Sequence, residues 1–436
     1  MLIIDKRYIK NILTIILCCV TLYFYIYTPN IKFIPFSVDK ILLVLLLGVT
    51  CLYRRRLFLK VLSQKSVFTL LALYVCLFVY TFALDLIILD GISLSYHVLQ
   101  YSVQYILFSI CLYLHMETTF GEDTLDALFK CLLIIAFIHS MIGLWMLLNP
   151  SVKSLVYGVM SETGELYKGL MLRGNGFSSG LMLSAPLVNT ILISGLLISR
   201  NSISTLPKVL LFFVVVIVAV TNARIALVAL LLIVPYLCIK ALSLKGFFST
   251  LRISISVLFV GLVLWRFLPN NLFNEEQVNS GIIIYEWLIG GYANIFGIEI
   301  DGNKETIGTA LLGHLYLNYD FLPLLFGAGE NAFKSEIHSD IGVINLIRFG
   351  GLVYFAVVHL VTYYIFYYSY TRAGLDSYKK IIILTGMTYF IASLKGIVFT
   401  EQILGRFMIL ICVFVILHSL RNRLYPNSLK RNFRPI

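Results

Sequence analysis

No polar stretch in this chain is long enough to form a conventional soluble domain. The sequence has no His or Cys spacing suited to a metal, no Walker loop and no dinucleotide fingerprint, which argues against zinc, P-loop and Rossmann chemistry. It has no internal repeat, and no matching pair of Gly/Pro-broken apolar segments in its two halves. A transporter with inverted symmetry would carry such a pair. Its eight cysteines all lie inside apolar blocks, and none falls in the long polar breaks. A disulfide framework or thiolate metal site is therefore not expected. Nor is a cleavable leader expected: Lys6, Arg7 and Lys10 precede an apolar stretch of full span length, which reads as a retained first span.

What remains is apolar. Hydrophobic residues make up 59% of the chain and come in long blocks with short charged breaks. The block 209–220 (VLLFFVVVIVAV) has no polar face at any period. A soluble helix needs a wet side and a lipid-embedded one does not. A bilayer core takes roughly 20 mainly apolar residues per helical span. The pattern predicts an all-α, polytopic membrane bundle of about 12 spans. The predicted segments are 11–28, 37–53, 67–85, 97–115, 128–148, 177–198, 207–221, 224–241, 252–268, 350–370, 379–398 and 403–420. The chain 1–436 reads as one integral domain.

The net charge of +12 sits in short breaks: Arg54 to Arg56, Lys240 with Lys245 and Arg252, Arg372 with Lys379 and Lys380, and the tail from Arg421 to Arg434. That is the distribution of cytoplasmic loops and not of a nucleic-acid surface. Both termini are then predicted inside. The inside loop 116–127 (METTFGEDTLDA) is acidic, a mild violation of a rule in which acids count for little. Two outer segments stand out by length, 149–176 and 269–349. Loops beyond about 15 residues are usually functional or carry local structure. In the second, 282–289 and 314–326 are too short to cross a bilayer and read as interfacial or re-entrant helices. Its acidic residues greatly outnumber Lys304, Lys334 and Arg348.

Several ionisable residues at predicted outer span ends are candidates for chemistry. Arg224, in Thr221-Asn222-Ala223-Arg224, occupies a very short turn between apolar runs. Its guanidinium either snorkels to water or clamps a phosphate bidentately. Arg173 stands beside Gly174 and Gly176. This is either a flexible loop-to-helix junction or a place where backbone amides approach an anion. The stretch from Gly327-Ala328-Gly329 through His338-Ser339-Asp340 to Arg348 and Gly350-Gly351 combines turns, an imidazole, a carboxylate and an arginine. His338 can act as acid or base near neutral pH. Asp340 either accepts a proton or caps the following helix. Arg266, Lys395, Glu401 and Arg406 lie toward outer span ends and could join an anion-binding surface. His139, His359 and His418 read as packed or interfacial, and the run Tyr363 to Tyr370 as an aromatic belt.

On these residues the chain resembles the O-antigen polymerase family, within the wider group of O-antigen polymerases and ligases. The likeness rests on Arg173 with its glycines, on Thr221-Asn222-Ala223-Arg224, on Gly327-Ala328-Gly329 followed by His338-Ser339-Asp340-Ile341-Gly342 and Gly350, and on a dominant outer loop late in the chain. It spans essentially the whole sequence. It implies an inner-membrane glycosyltransferase working on the periplasmic side without a metal or other cofactor. The implied donor is a polyprenyl-pyrophosphate-linked oligosaccharide and the acceptor a second lipid-linked repeat unit, with a flippase and a chain-length regulator as partners. His338 and Asp340 would then be catalytic, and Arg173, Arg224 and Arg348 would bind pyrophosphate. The spacing from His338-Ser339 to Gly350 is one residue longer than in the ligase branch, which favours a polymerase over a ligase. A flippase, the non-enzyme alternative, would place its ionisable groups in midplane cavities.

Overall fold

The computed structural model describes residues 6–88, 98–160, 178, 184–198, 205–222, 228–232, 234, 320–327, 342–395 and 402–424. Among these, every extended element is helical, and the only bridge pairing joins Ile31 to Met160. In chain order the helices are α1 (Lys6–Ile26), α2 (Val38–Leu62), α3 (Lys65–Ile88), α4 (Ile106–Phe120, entered through a π-helical turn at Gln100–Tyr105) and α5 (Thr124–Leu148). Then come α6 (Pro150–Val159), α7 (Ser184–Ile198), α8 (Thr205–Asn222), the short α9 (Phe321–Phe326), α10 (Gly342–Arg372), α11 (Asp376–Lys395), α12 (Gln402–Ser419) and α13 (Arg421–Leu424). By length and composition, Lys65–Leu86, Val103–Leu148 and Val343–Arg372 can cross a membrane, and the second of these holds both α4 and α5. Ile12–Ile26, Ser184–Ile198, Lys208–Ala219 and Ile403–Ser419 are shorter apolar helices. The chain is thus a helical protein of membrane character. The predicted segment 252–268 and most of 224–241 lie outside the described residues.

Contacts between helix ends define two ends of the bundle. At one end the last turn of α1, the start of α2, the π turn before α4 and the first turn of α12 meet, through Tyr25, Asp39, Gln104 and Arg406. At the other, α2 reaches α4 and α13: Arg54 donates to Leu114 O and Thr118 Oγ1, and Lys60 Nζ donates to Leu424 O at 3.0 Å. Tyr378 at the start of α11 donates to Asp126 at the start of α5. These are the Arg406 end and the Arg421 end. Helix α12 runs between them, with residues 403–417 all buried. Apart from Arg406 this stretch is apolar on every face, and such a helix belongs in the centre of its bundle.

Several boundaries differ from the sequence reading, each for a local reason. Arg54 lies inside α2 and not in a loop, at a kink with φ −139° where its side chain reaches across to α4. The predicted acidic loop 116–127 contracts to a single turn of 3-10 helix at Gly121–Asp123. Gly121 has φ +57°, a left-handed conformation that ends a helix with little strain when no Cβ is present. Two of its acids are met by one arginine: Arg421 Nε donates to Glu117 Oε1 at 3.0 Å and Nη1 to Glu122 Oε1 at 2.9 Å. Of the predicted loop 149–176, the first part is α6, started by Asn149, whose side chain accepts from Ser151 N and Val152 N. An Asn cap followed by proline is a favoured helix start. Within 269–349, α9 falls inside the predicted short helix 314–326, while 282–289 lies outside the described residues. Helix α10 begins at Gly342, so residues 342–349 belong to it and not to the loop.

Candidate functional site

Of the candidate site residues, Arg173, Arg224, His338 and Asp340 lie outside the described residues. Arg348 is described. It is buried and sits on α10, not in a loop, just before a break in that helix at Gly351 (φ +72°). The break is built by backbone-to-backbone packing against the end of α9. A Cβ on Gly351 would stand 2.3 Å from Leu325 O, and one on Gly327 (φ +94°) 2.2 Å from Phe349 O. Only glycine satisfies both the left-handed backbone and the close approach. Two of the glycines flanking the predicted site thus set the joint that positions Arg348.

The surroundings of the break are aromatic. Tyr80 of α3 donates its hydroxyl to Gly350 O at 3.0 Å, occupying a carbonyl near the interruption. Tyr354 is fully buried, parallel to the Tyr80 ring at 6.0 Å between centroids and edge-on to Phe349 at 5.6 Å. Asp85, in the last turn of α3, is also buried. α3, α9 and α10 thus converge on the break at Gly350-Gly351, which follows Arg348 in α10.

Arg406, one of four residues that could have joined an anion-binding surface, is spent within the protein. Its Nη2 donates to Asp39 Oδ2 at 2.9 Å and its Nη1 to Tyr25 O at 2.7 Å. Its guanidinium lies 4.9 Å from the centre of the Tyr105 ring and 5.5 Å from that of Tyr25. Gln104 Nε2 donates to the same Asp39 oxygen. The π turn at Gln100–Tyr105 supplies both Gln104 and Tyr105. A charge removed from water needs such partners, because desolvation otherwise outweighs its attraction to a distant ion. The sequence held one clue: Asp39 and Arg406 are charges in apolar segments, and each must find a partner. Their 367-residue separation hid which partner.

His139 of α5 is buried, stacked on Tyr27 at 3.9 Å between ring centres, with Tyr23 Oη 3.5 Å from its Nδ1. Tyr27 Oη donates to Asn189 Oδ1 at 2.5 Å, and Asn189 Nδ2 donates to Ser140 Oγ at 3.2 Å. This chain of polar groups ties α1, α5 and α7 together where lipid offers no hydrophobic drive for helix association. Comparison of the chain with protein-family models and with curated proteins finds no match.

Proposed function

We propose that this protein is an O-antigen or related surface-polysaccharide polymerase, a glycosyltransferase that joins polyprenyl-pyrophosphate-linked repeat units. The observation that carries this reading is the order of arginine- and glycine-bearing motifs in the sequence, from Arg173 through Thr221-Asn222-Ala223-Arg224 to Gly327, His338-Ser339-Asp340 and Gly350. The burial of Arg348 at a glycine-built helix break is compatible with it. In this reading the bundle has about 12 spans in a bacterial inner membrane, with both termini cytoplasmic and the Arg406 end facing the periplasm.

The donor's pyrophosphate is bound by Arg173, Arg224 and Arg348. Preorganised cations stabilise the negative charge that builds as polyprenyl pyrophosphate departs. His338 or Asp340 takes the proton from an acceptor sugar hydroxyl. That oxygen bonds to the donor's anomeric carbon as the bond to the pyrophosphate oxygen breaks, and the bonding pair leaves with the pyrophosphate. Direct displacement inverts the anomeric centre. No cofactor enters these steps.

Purified protein incubated with lipid-linked repeats alone tests the proposal. A ladder of lengthening glycans supports a polymerase. Transfer only when lipid A core is added would instead make it a ligase, and movement of the glycolipid between vesicle leaflets without a new bond would make it a flippase. Arg224→Lys keeps the charge and removes the planar fork. A normal ladder from that variant would eliminate bidentate phosphate binding at Arg224.

A further inference from the structure

The connection between α1 and α2 is fastened to α6. Ile31 bridges to Met160, and Lys32 N donates to Val159 O at 2.9 Å. Helix α6 is itself docked on the end of α5 through a separate apolar cluster of Met146, Val156, Tyr157 and Met160. Residues 28–37 and α6 therefore form one platform beside the Arg406 end of the bundle. Its inner face is packed, but apolar side chains stand exposed on the platform: Phe33 is 82% exposed and Phe36 71%, with Leu155 also exposed, as is Trp145 at the end of α5.

We propose that this platform lies in the lipid headgroup–acyl boundary, with Phe33 and Phe36 among the acyl chains and the exposed Lys32 and Lys40 at the phosphates of anionic lipid. Two observations select a lipid surface over a protein partner. Exposed aliphatic and aromatic residues also run along α2 and α5, among them Val44, Leu45, Phe137 and Ile138, and a membrane-embedded bundle turns such flanks to lipid. The platform's charge is also of one sign. Between 28–41 and 149–160 the only acid is Asp39, which is buried against Arg406. Lysines beside aromatic and aliphatic side chains suit an interfacial element, whose long stems can stay in apolar surroundings while the ammonium reaches the phosphates. The inference requires only a membrane-embedded bundle and does not depend on the glycan chemistry proposed above.

The test uses the full chain in nanodiscs containing phosphatidylglycerol, with Phe33→Trp, Phe36→Trp and Leu155→Trp made singly. The emission added by each new tryptophan is compared with that of the parent protein. At a depth of roughly 5–10 Å it should fall by about half when the acyl chains are brominated, and be unchanged by aqueous iodide. Quenching by iodide without quenching by bromolipid would put the platform in water. Insensitivity to both would put it against protein, such as a second copy. Either result overturns the proposal. The exposed Leu155 site on α6 reports the same platform if a substitution at 33 or 36 fails to fold.

Discussion

Arg406 Nη2 lies 2.9 Å from Asp39 Oδ2, and the two side chains are only 2% and 3% exposed. A buried pair of this kind contributes little net stability, but breaking it from one side is costly. Arg406→Met or Asp39→Leu alone should lose about 3–5 kcal/mol, because each leaves an uncompensated charge among α1, α2, α4 and α12. The double variant should regain most of that loss. Thermal unfolding in detergent, followed by monodispersity on size exclusion, reads both. If Arg406 bound a substrate anion instead, Arg406→Met would raise KM and leave the melting temperature unchanged.

The joint between α9 and α10 should be equally selective. Gly351→Ala and Gly327→Ala each force a Cβ into a left-handed backbone and against a main-chain oxygen or its neighbours. The conformational term alone is about 1–2 kcal/mol, and the contacts near 2.2–2.3 Å require α9 and α10 to separate. Both variants should express poorly or aggregate. Gly374→Ala, where nothing stands within 4 Å of the added Cβ, should be neutral in the same expression and melting assays.

The difference between these two regions shows what the sequence made legible. Apolar blocks placed the helices well, since α1–α5, α7, α8 and α10–α12 overlie predicted segments. Their ends were harder to place. Arg54 looked like a loop residue because charge normally leaves the bilayer, yet the kinked α2 carries it across to Leu114 O. The loop at 116–127 looked long because its acids are polar, yet Arg421 neutralises two of them from the other end of the chain. Gly327, Gly350 and Gly351 stand out in the sequence as turn formers, whereas the backbone-to-backbone joint of Gly327 and Gly351 exists only in the fold. Pairings such as Asp39 with Arg406 and Tyr27 with Asn189 join distant positions, which no local pattern encodes.

Lys153 gives a pH-dependent prediction. Partial burial on α6 pushes its amine down from the usual lysine value to about 8. Between pH 8 and 10.5 the unfolded chain then holds a proton that the folded chain has released, so stability should rise with pH across that window. Lys153→Met should flatten the slope in neutral detergent. About half of the Lys153 amines are uncharged at pH 8, far more than for an ordinary lysine. Lys153 should therefore be acylated ahead of the other lysines, as read by peptide mass spectrometry.

Arg421 clamps two carboxylates of very different exposure, and this separates the strong contact from the weak one. Glu117 is buried at 3.0 Å from Nε, whereas Glu122, at 2.9 Å from Nη1, is 82% exposed. A solvated ion pair contributes about 0–1 kcal/mol, so Glu122→Gln should barely move the melting temperature, and salt should erase what effect there is. Arg421→Gln strands the Glu117 carboxylate away from water and should cost about 1–3 kcal/mol. Adding Glu117→Gln to that variant should restore part of the loss, because the stranded charge is gone. Loss of the clamp should also loosen α13, whose Leu424 carbonyl accepts from Lys60. Limited proteolysis after Leu420 should accelerate in Arg421→Gln and not in Glu122→Gln. Equal cleavage in the two variants would mean that the exposed contact, not the buried one, holds the end of α12 in place.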